Sequence, residues 1–450
     1  MNQELFLLLA ASCFYLVLVS VMMACKFDMR NVIMLFALTV ALYYGFRPIL
    51  FITGLDTPSP DAQFTRSSTG FVTGTALVWL TAYLIMFGLG AVVLYAISTR
   101  GTGFFAGSSP SFNRMFTLTL LLTAISVGIT SVLVLRYGGF EKFIGAVKVE
   151  KELSGLYILK VPSAVGAIVA AGAFLDHRAR RGSRDGSSGT GIFLLSCTFL
   201  NAICVFLWGQ RSAMVVVLVI LLLGPPTRSM TAAIRNKMTV RILLAVVLVV
   251  CTSAALRVTR DTLITGEVLS VYSEASVWRK ASLATNSTYL DASLLSFRDW
   301  PDSFPYRGGE DFVAGAAGPV PRLLWEDKPT SVRPGQWLRQ VYEPYTINGW
   351  PVGAPTVWYL NFGPFGLLIG GVVGGGVFGW LRRAQMNAAD CGLNSAIAVV
   401  SAVYIFELGW SSDTPLAIGI WLIPLWLVTK FVIRRDPAEE IDMKRGDMGN

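Results

Sequence analysis

Apolar residues along this chain gather into runs of about 20, the length at which a helix crosses about 30 Å of hydrocarbon. The runs fall near residues 4–24, 31–53, 71–97, 116–135, 157–175, 191–208, 212–224, 241–256, 357–380, 393–410 and 415–433. They predict an all-α, polytopic membrane protein with about 11 transmembrane helices. The seventh run is short and follows the sixth almost directly, as a broken or re-entrant element would. Between the eighth and ninth lies a polar stretch, 257–356, too long for a mere connector. It contains helix-compatible segments such as TYLDASLLSF, broken by Pro, Gly and Asp, and no sign of a soluble-domain core. The expected organisation is therefore helices 1–8 over 1–256, a long extracytoplasmic loop with short helices over 257–356, helices 9–11 over 357–433, and a cytoplasmic tail over 434–450.

Charge sets the orientation. Lys26 and Arg30, then Arg100 and Arg114, then the run from Arg178 to Arg184, then Arg228 to Arg241, then Arg382 and Arg383, and finally Arg434 and Arg435 occupy alternate connections. All fall on the cytoplasmic side if the N-terminus is outside and the C-terminus inside. This pattern absorbs most of the formal charge of +9 and removes the case for nucleic acid. The first residues lack the basic segment of a signal peptide, so 4–24 reads as a retained span. GSRDGSSGTG, between the fifth and sixth runs, reads as a flexible linker.

Composition agrees with the patterning: 54% of residues are hydrophobic and 14% charged, against about 25% charged in soluble domains. None of the six cysteines lies in the long loop, so no disulfide framework holds it. His177 is the only histidine and falls in the basic stretch HRARRGSR, which leaves no ordinary His/Cys metal site. Walker and GxSxG motifs are absent. The glycine-dense ninth run places Gly370, Gly371, Gly374, Gly375 and Gly379 at four-residue spacings. Such spacing lets helix backbones approach closely, within one chain or between two copies.

Charges inside hydrocarbon are costly and point to function. The candidates are Arg47, Lys160, Arg211 and Glu407, all toward the outer half of the membrane in this topology. They form either a structural ion-pair set, with Glu407 bound to Arg47 or Lys160, or an anion site facing the outer leaflet. In the loop, Arg322, Lys328, Arg333 and Arg339 crowd one segment with Trp325, Trp337 and Tyr342. Arginine forks suit phosphate oxygens, and Trp and Tyr suit the membrane interface. Glu310, Asp311, Glu326, Asp327 and Glu343 are candidate bases for a sugar hydroxyl, or simply neutralise nearby arginines.

Taken in order, FPYRGGEDFVAGAAGPVPRLLWEDKPT and GAPTVWYLNFGPFGLLIGG resemble the bacterial O-antigen or oligosaccharide repeat-unit polymerase family. There a Pro-Arg, bulky-Trp, Lys-Pro segment precedes a span opened by Asn-Phe-Gly, here Asn361 onward. WGQRSAMVVVLVILLLG adds an Arg at the outer mouth of a span and a distal Gly, here Arg211 and Gly224. Val357 and Trp358 stand where many members carry a Glu, so no catalytic role transfers to that position.

The resemblance implies GT-C-type architecture and a multi-pass protein of the bacterial plasma membrane. It implies a glycosyltransferase that joins polyprenyl-diphosphate-linked oligosaccharides at the outer leaflet, without a cofactor or metal. Arg211 and Arg322 would bind the diphosphate, assisted by Arg47, Lys328 and Arg333. Glu310 or Asp311 would be the base, and Lys160, Arg339, Trp325, Trp337, Tyr342 and Asn361 would complete the lipid-diphosphate and glycan site. A chain-length regulator and a flippase are the expected partners beside the bilayer. An O-antigen-ligase-like transferase and a lipid-linked-oligosaccharide flippase or exporter are the competing readings.

Overall fold

The computed structural model describes residues 2–28, 30–53, 70–98, 111–140, 142–143, 158–180, 188–208, 217, 220–221, 289–320, 324–329, 333–345, 349–387 and 392–432. Every regular element among them is helical. In chain order they are α1 (Gln3–Ala24), α2 (Val32–Val40), a π-turn (Ala41–Gly45), α3 (Phe46–Ile52), α4 (Gly70–Ile97), α5 (Phe112–Arg136), α6 (Val161–Arg180), α7 (Ser188–Leu207), α8 (Tyr289–Asp299), α9 (Glu310–Ala317), α10 (Pro334–Tyr342), α11 (Ala354–Asn387), α12 (Gly392–Val400), a π-turn (Ser401–Ile405), α13 (Thr414–Ala417), a π-turn (Ile418–Leu422) and α14 (Ile423–Val432).

Seven of the helical stretches among the described residues are long and apolar enough to cross a membrane, and they match runs one to six and nine. Gly392–Val403 and Thr414–Val428 are shorter apolar helices at runs ten and eleven. The run at 212–224 is described only at 217 and 220–221, and that at 241–256 lies outside the described residues. Among the described residues the chain is thus all-helical, with the long apolar helices of a polytopic membrane protein.

The chain divides into two compact units. The first combines Met1–Ser98, Val268–Arg382 and Ile405–Ile418. In it α1 packs along α4, with Phe6 against Phe71 at 5.4 Å. Asn2 opens α1 by accepting the Glu4 N–H, and Asn31 opens α2 by accepting that of Ile33. Phe36 of α2, Phe87 of α4 and Phe378 of α11 form one aromatic cluster. The glycine stripe is spent inside this unit. A Cβ at Gly371, Gly375 or Gly379 would meet the carbonyl oxygens of Tyr83, Phe87 and Ala91 at 2.7, 1.9 and 2.2 Å. The α4 and α11 backbones therefore touch directly, and of the two sequence readings the one within a single chain holds.

α8 comes from the long polar stretch but is not a surface helix: Leu290 through Phe297 are all buried, and it packs on α4. Its polar side chains are matched one by one. Asp291 pairs with Arg47, Ser293 hydrogen-bonds Thr356 at 2.6 Å, and Ser296 donates to its own helix at Ala292 O. Among the described residues of the long stretch, α8 thus shares the core of the apolar helices.

The second unit combines Thr99–Glu267, Arg383–Tyr404 and Gly419–Asn450. Here α6 packs on α5, α7 and α12. Asn201 donates to Thr123 Oγ1 at 2.7 Å, and Asp176 accepts the Gly392 N–H at 2.5 Å. His177 was expected in a basic loop, but α6 continues through it to Arg180. Its ring is buried and stacks on Phe112 at 5.8 Å.

Candidate functional site

α11 determines the site. Gly363 takes φ 66°, ψ −155° inside this helix and Pro364 follows. A Cβ at Gly363 would strike the Tyr306 ring at 2.8 Å, so only glycine fits both the backbone and the space. Pro364 has no N–H to return to the Leu360 carbonyl four residues back. That carbonyl accepts instead from Arg307 N at 3.0 Å, and the Asn361 carbonyl accepts from Gly308 N at 3.0 Å. The kink thus captures the Arg307-Gly308-Gly309 turn, whose two glycines have φ of 60° and 90°.

That docking brings α9 against α11. Asp311 is 2% exposed. One of its oxygens accepts from Arg307 Nη2 at 2.8 Å and the other from Asn361 Nδ2 at 2.8 Å. Asn361 also donates to the Val357 carbonyl at 2.9 Å. The Arg307 guanidinium lies over the Trp337 ring at 4.2 Å, and Trp337 in turn meets Trp300 edge-on at 5.6 Å. The result is a charge-assisted network across α9, α10 and α11.

On the other side of α9 is a cleft of about 170 Å³, lined among others by Asp311, Gly315, Lys328, Arg333, Ser412 and Asp413. Gly315 makes it possible: a Cβ there would lie 1.8 Å from the Ser412 carbonyl oxygen. α9 can therefore sit on the turn before α13, and Asp413 is brought beside Asp311. Lys328 Nζ donates to the carbonyls of Gly318 and Val320 at 3.1 and 2.9 Å, which fixes the 324–329 segment at the cleft wall. Burial raises the Asp413 carboxyl above its usual range; Arg333 opposes this and Asp311 reinforces it. Two carboxylates and two cations on one concave surface suit a polar, anionic ligand such as a phosphorylated sugar, with proton transfer at its edge.

The sequence candidates separate accordingly. Asp311, Lys328 and Arg333 line the cleft, and Asn361 supports it through Asp311. Glu310 does not line the cleft; its side chain is 76% exposed and 4.0 Å from Arg307. Arg47 is buried in its pair with Asp291, a carboxylate other than the Glu407 offered as one possible partner. Glu407 accepts from Tyr43 Oη at 2.7 Å. It stands at φ 25° with Gly409 at φ 120°, which ends the helical run at Ile405 rather than near 410.

Trp337 carries Arg307, Tyr342 hydrogen-bonds Asp299, and Arg339 pairs with Glu343 at 2.6 Å. Those three organise the loop and do not line the cleft. Leu324 and Trp325 are exposed, at 78% and 44%. Lys160 belongs to the second unit, 5.6 Å above the Trp421 ring. Arg211 and Arg322 lie outside the described residues. Sequence reasoning missed Arg307, Ser412 and Asp413; the polar triplet Ser411-Ser412-Asp413 between two apolar runs was the available signal. No family model matches the chain, and no curated protein or solved structure is significantly similar to it.

Proposed function

We propose that the chain is a polysaccharide polymerase, a glycosyltransferase that joins polyprenyl-diphosphate-linked oligosaccharide repeat units at the outer face of a bacterial plasma membrane. The product would be an O-antigen, capsule or exopolysaccharide. The observation that carries the reading is the coincidence of motif and geometry. The Asn-Phe-Gly segment behind the family resemblance is the α11 kink, and that kink holds α9 beside a cleft bearing Asp311, Lys328 and Arg333. The leaving group is a diphosphate, so cationic stabilisation of its developing charge is the main catalytic need. Lys328 and Arg333 supply it at the cleft, and Arg211 and Arg322 are the further arginines in this reading. Leu324 and Trp325 rest at the bilayer surface and hold the cations at headgroup depth.

Deleting the gene in its host and sizing the surface polysaccharide tests the reading. A polymerase leaves single repeat units exported and attached. A surface devoid of the glycan would point to a flippase, and full-length chains left unattached would point to a ligase.

A further inference from the structure

The cleft holds a carboxylate that the polymerase reading did not include. We propose that Asp413 is the general base that deprotonates the acceptor hydroxyl, while Asp311 is a positioning residue. The proposal rests on the polymerase reading and deepens it.

Glu310 is not among the residues that line the cleft. Asp311 lines it, but both of its oxygens are committed, one to Arg307 and the other to Asn361. To take a proton it would have to break the contacts that dock α9 on α11. Asp413 is the remaining carboxylate among the described cleft residues. Its side chain does not cap α13, and the residue lines the cleft. Arg333 and Asp311 are the charged groups acting on it, with Lys328 on the same wall. Desolvation and the neighbouring Asp311 move its proton affinity upward, toward the value a base needs near neutral pH.

In the step, the acceptor sugar's O–H gives its proton to the Asp413 carboxylate. The freed oxygen pair forms the new bond to the anomeric carbon of the donor. The bond from that carbon to the diphosphate oxygen breaks, and its electron pair leaves with polyprenyl diphosphate, whose charge faces Lys328 and Arg333. Asp413 then returns the proton to water.

The test uses membranes carrying the full chain as wild type, Asp413→Asn or Asp413→Glu. They are given lipid-linked repeat units extracted from a deletion host, and the initial rate of ladder formation is followed against pH. A base predicts a loss of about 10²–10⁴-fold in Asp413→Asn. It also predicts that Asp413→Glu retains activity with the acid limb of its pH–rate profile displaced. An Asp413→Asn rate close to wild type, or an Asp413→Glu profile with an unmoved acid limb, overturns the assignment while the wild-type ladder upholds the polymerase reading. If wild-type membranes form no ladder, it is the polymerase reading that fails.

Discussion

Asn361 Nδ2 donates to Asp311 Oδ2 at 2.8 Å across 50 residues of chain, and this bond ties the kinked membrane helix α11 to the loop helix α9. Asp311 is buried, and its two oxygens accept from that donor and from Arg307. Asn361→Ala removes one of two charged-group hydrogen bonds and leaves an acceptor without its donor, a cost of about 1–3 kcal/mol. We expect a lower melting temperature in detergent and a large fall in polymer length. Asn361→Asp sets a second carboxyl against the first and should be worse. A wild-type melting temperature in both variants would remove the network from the account.

Gly315→Ala tests the contact that builds the cleft. The added methyl meets a backbone carbonyl at 1.8 Å and cannot be accommodated by a side-chain rotation, so overpacking of about 1–3 kcal/mol is expected. Gly88→Ala in α4 is the matched control, with nothing within 4 Å of the new carbon. It should be neutral or slightly stabilising. Thermal unfolding of the two variants side by side reads the difference.

Arg47 and Asp291 are a buried pair, at 2% and 4% side-chain exposure. Asp291→Asn strands the guanidinium and should destabilise by about 3–5 kcal/mol. Replacing both by apolar residues of similar volume should recover most of that loss. If the double variant folds normally yet makes no polymer, Arg47 acts on substrate rather than as a structural charge.

Acid should loosen α10. Burial alone would raise the Asp299 carboxyl, but hydrogen bonds from Arg298 and Tyr342 outweigh it and hold the carboxyl below its usual range. A depressed folded value means the contribution is present above the unfolded carboxylate range, about pH 4, and is lost as pH falls through the folded value. Hydrogen exchange in 334–342, followed from pH 7 downward and corrected for intrinsic rates, should show protection falling only below about pH 4. In Tyr342→Phe, which lacks the hydroxyl that joins α10 to Asp299, protection should already be lower at pH 7 and its acid-dependent part largely gone.

How much of this was legible in the residues depends on what enforces each feature. Transmembrane runs follow from local hydropathy, and those at α1, α4, α5 and α7 were placed within a few residues. Helix ends set by backbone geometry were not. The apolar run continues to 410, yet Glu407 and Gly409 at positive φ stop the helix first. Asp311 was legible as a candidate because RGGED concentrates charge after a turn signal. Its commitment to Arg307 and Asn361 was not, because it arises from carbonyls freed by Pro364 far along the chain. Arg47 was rightly singled out as a charge among apolar residues, but its partner lies 244 residues away, on a helix that looked like part of a solvated loop. The signal at Asp413 is weak because the polar triplet Ser411-Ser412-Asp413 reads equally well as a plain connector between two apolar runs.

The central claim is most directly tested with the purified full-length chain in proteoliposomes, supplied only with lipid-linked repeat units from a deletion host. The account predicts glycans of two, three and more repeats still joined to a diphosphate carrier, with one polyprenyl diphosphate released for each new linkage. Repeat units that stay single, or move across the bilayer without being joined, would contradict it.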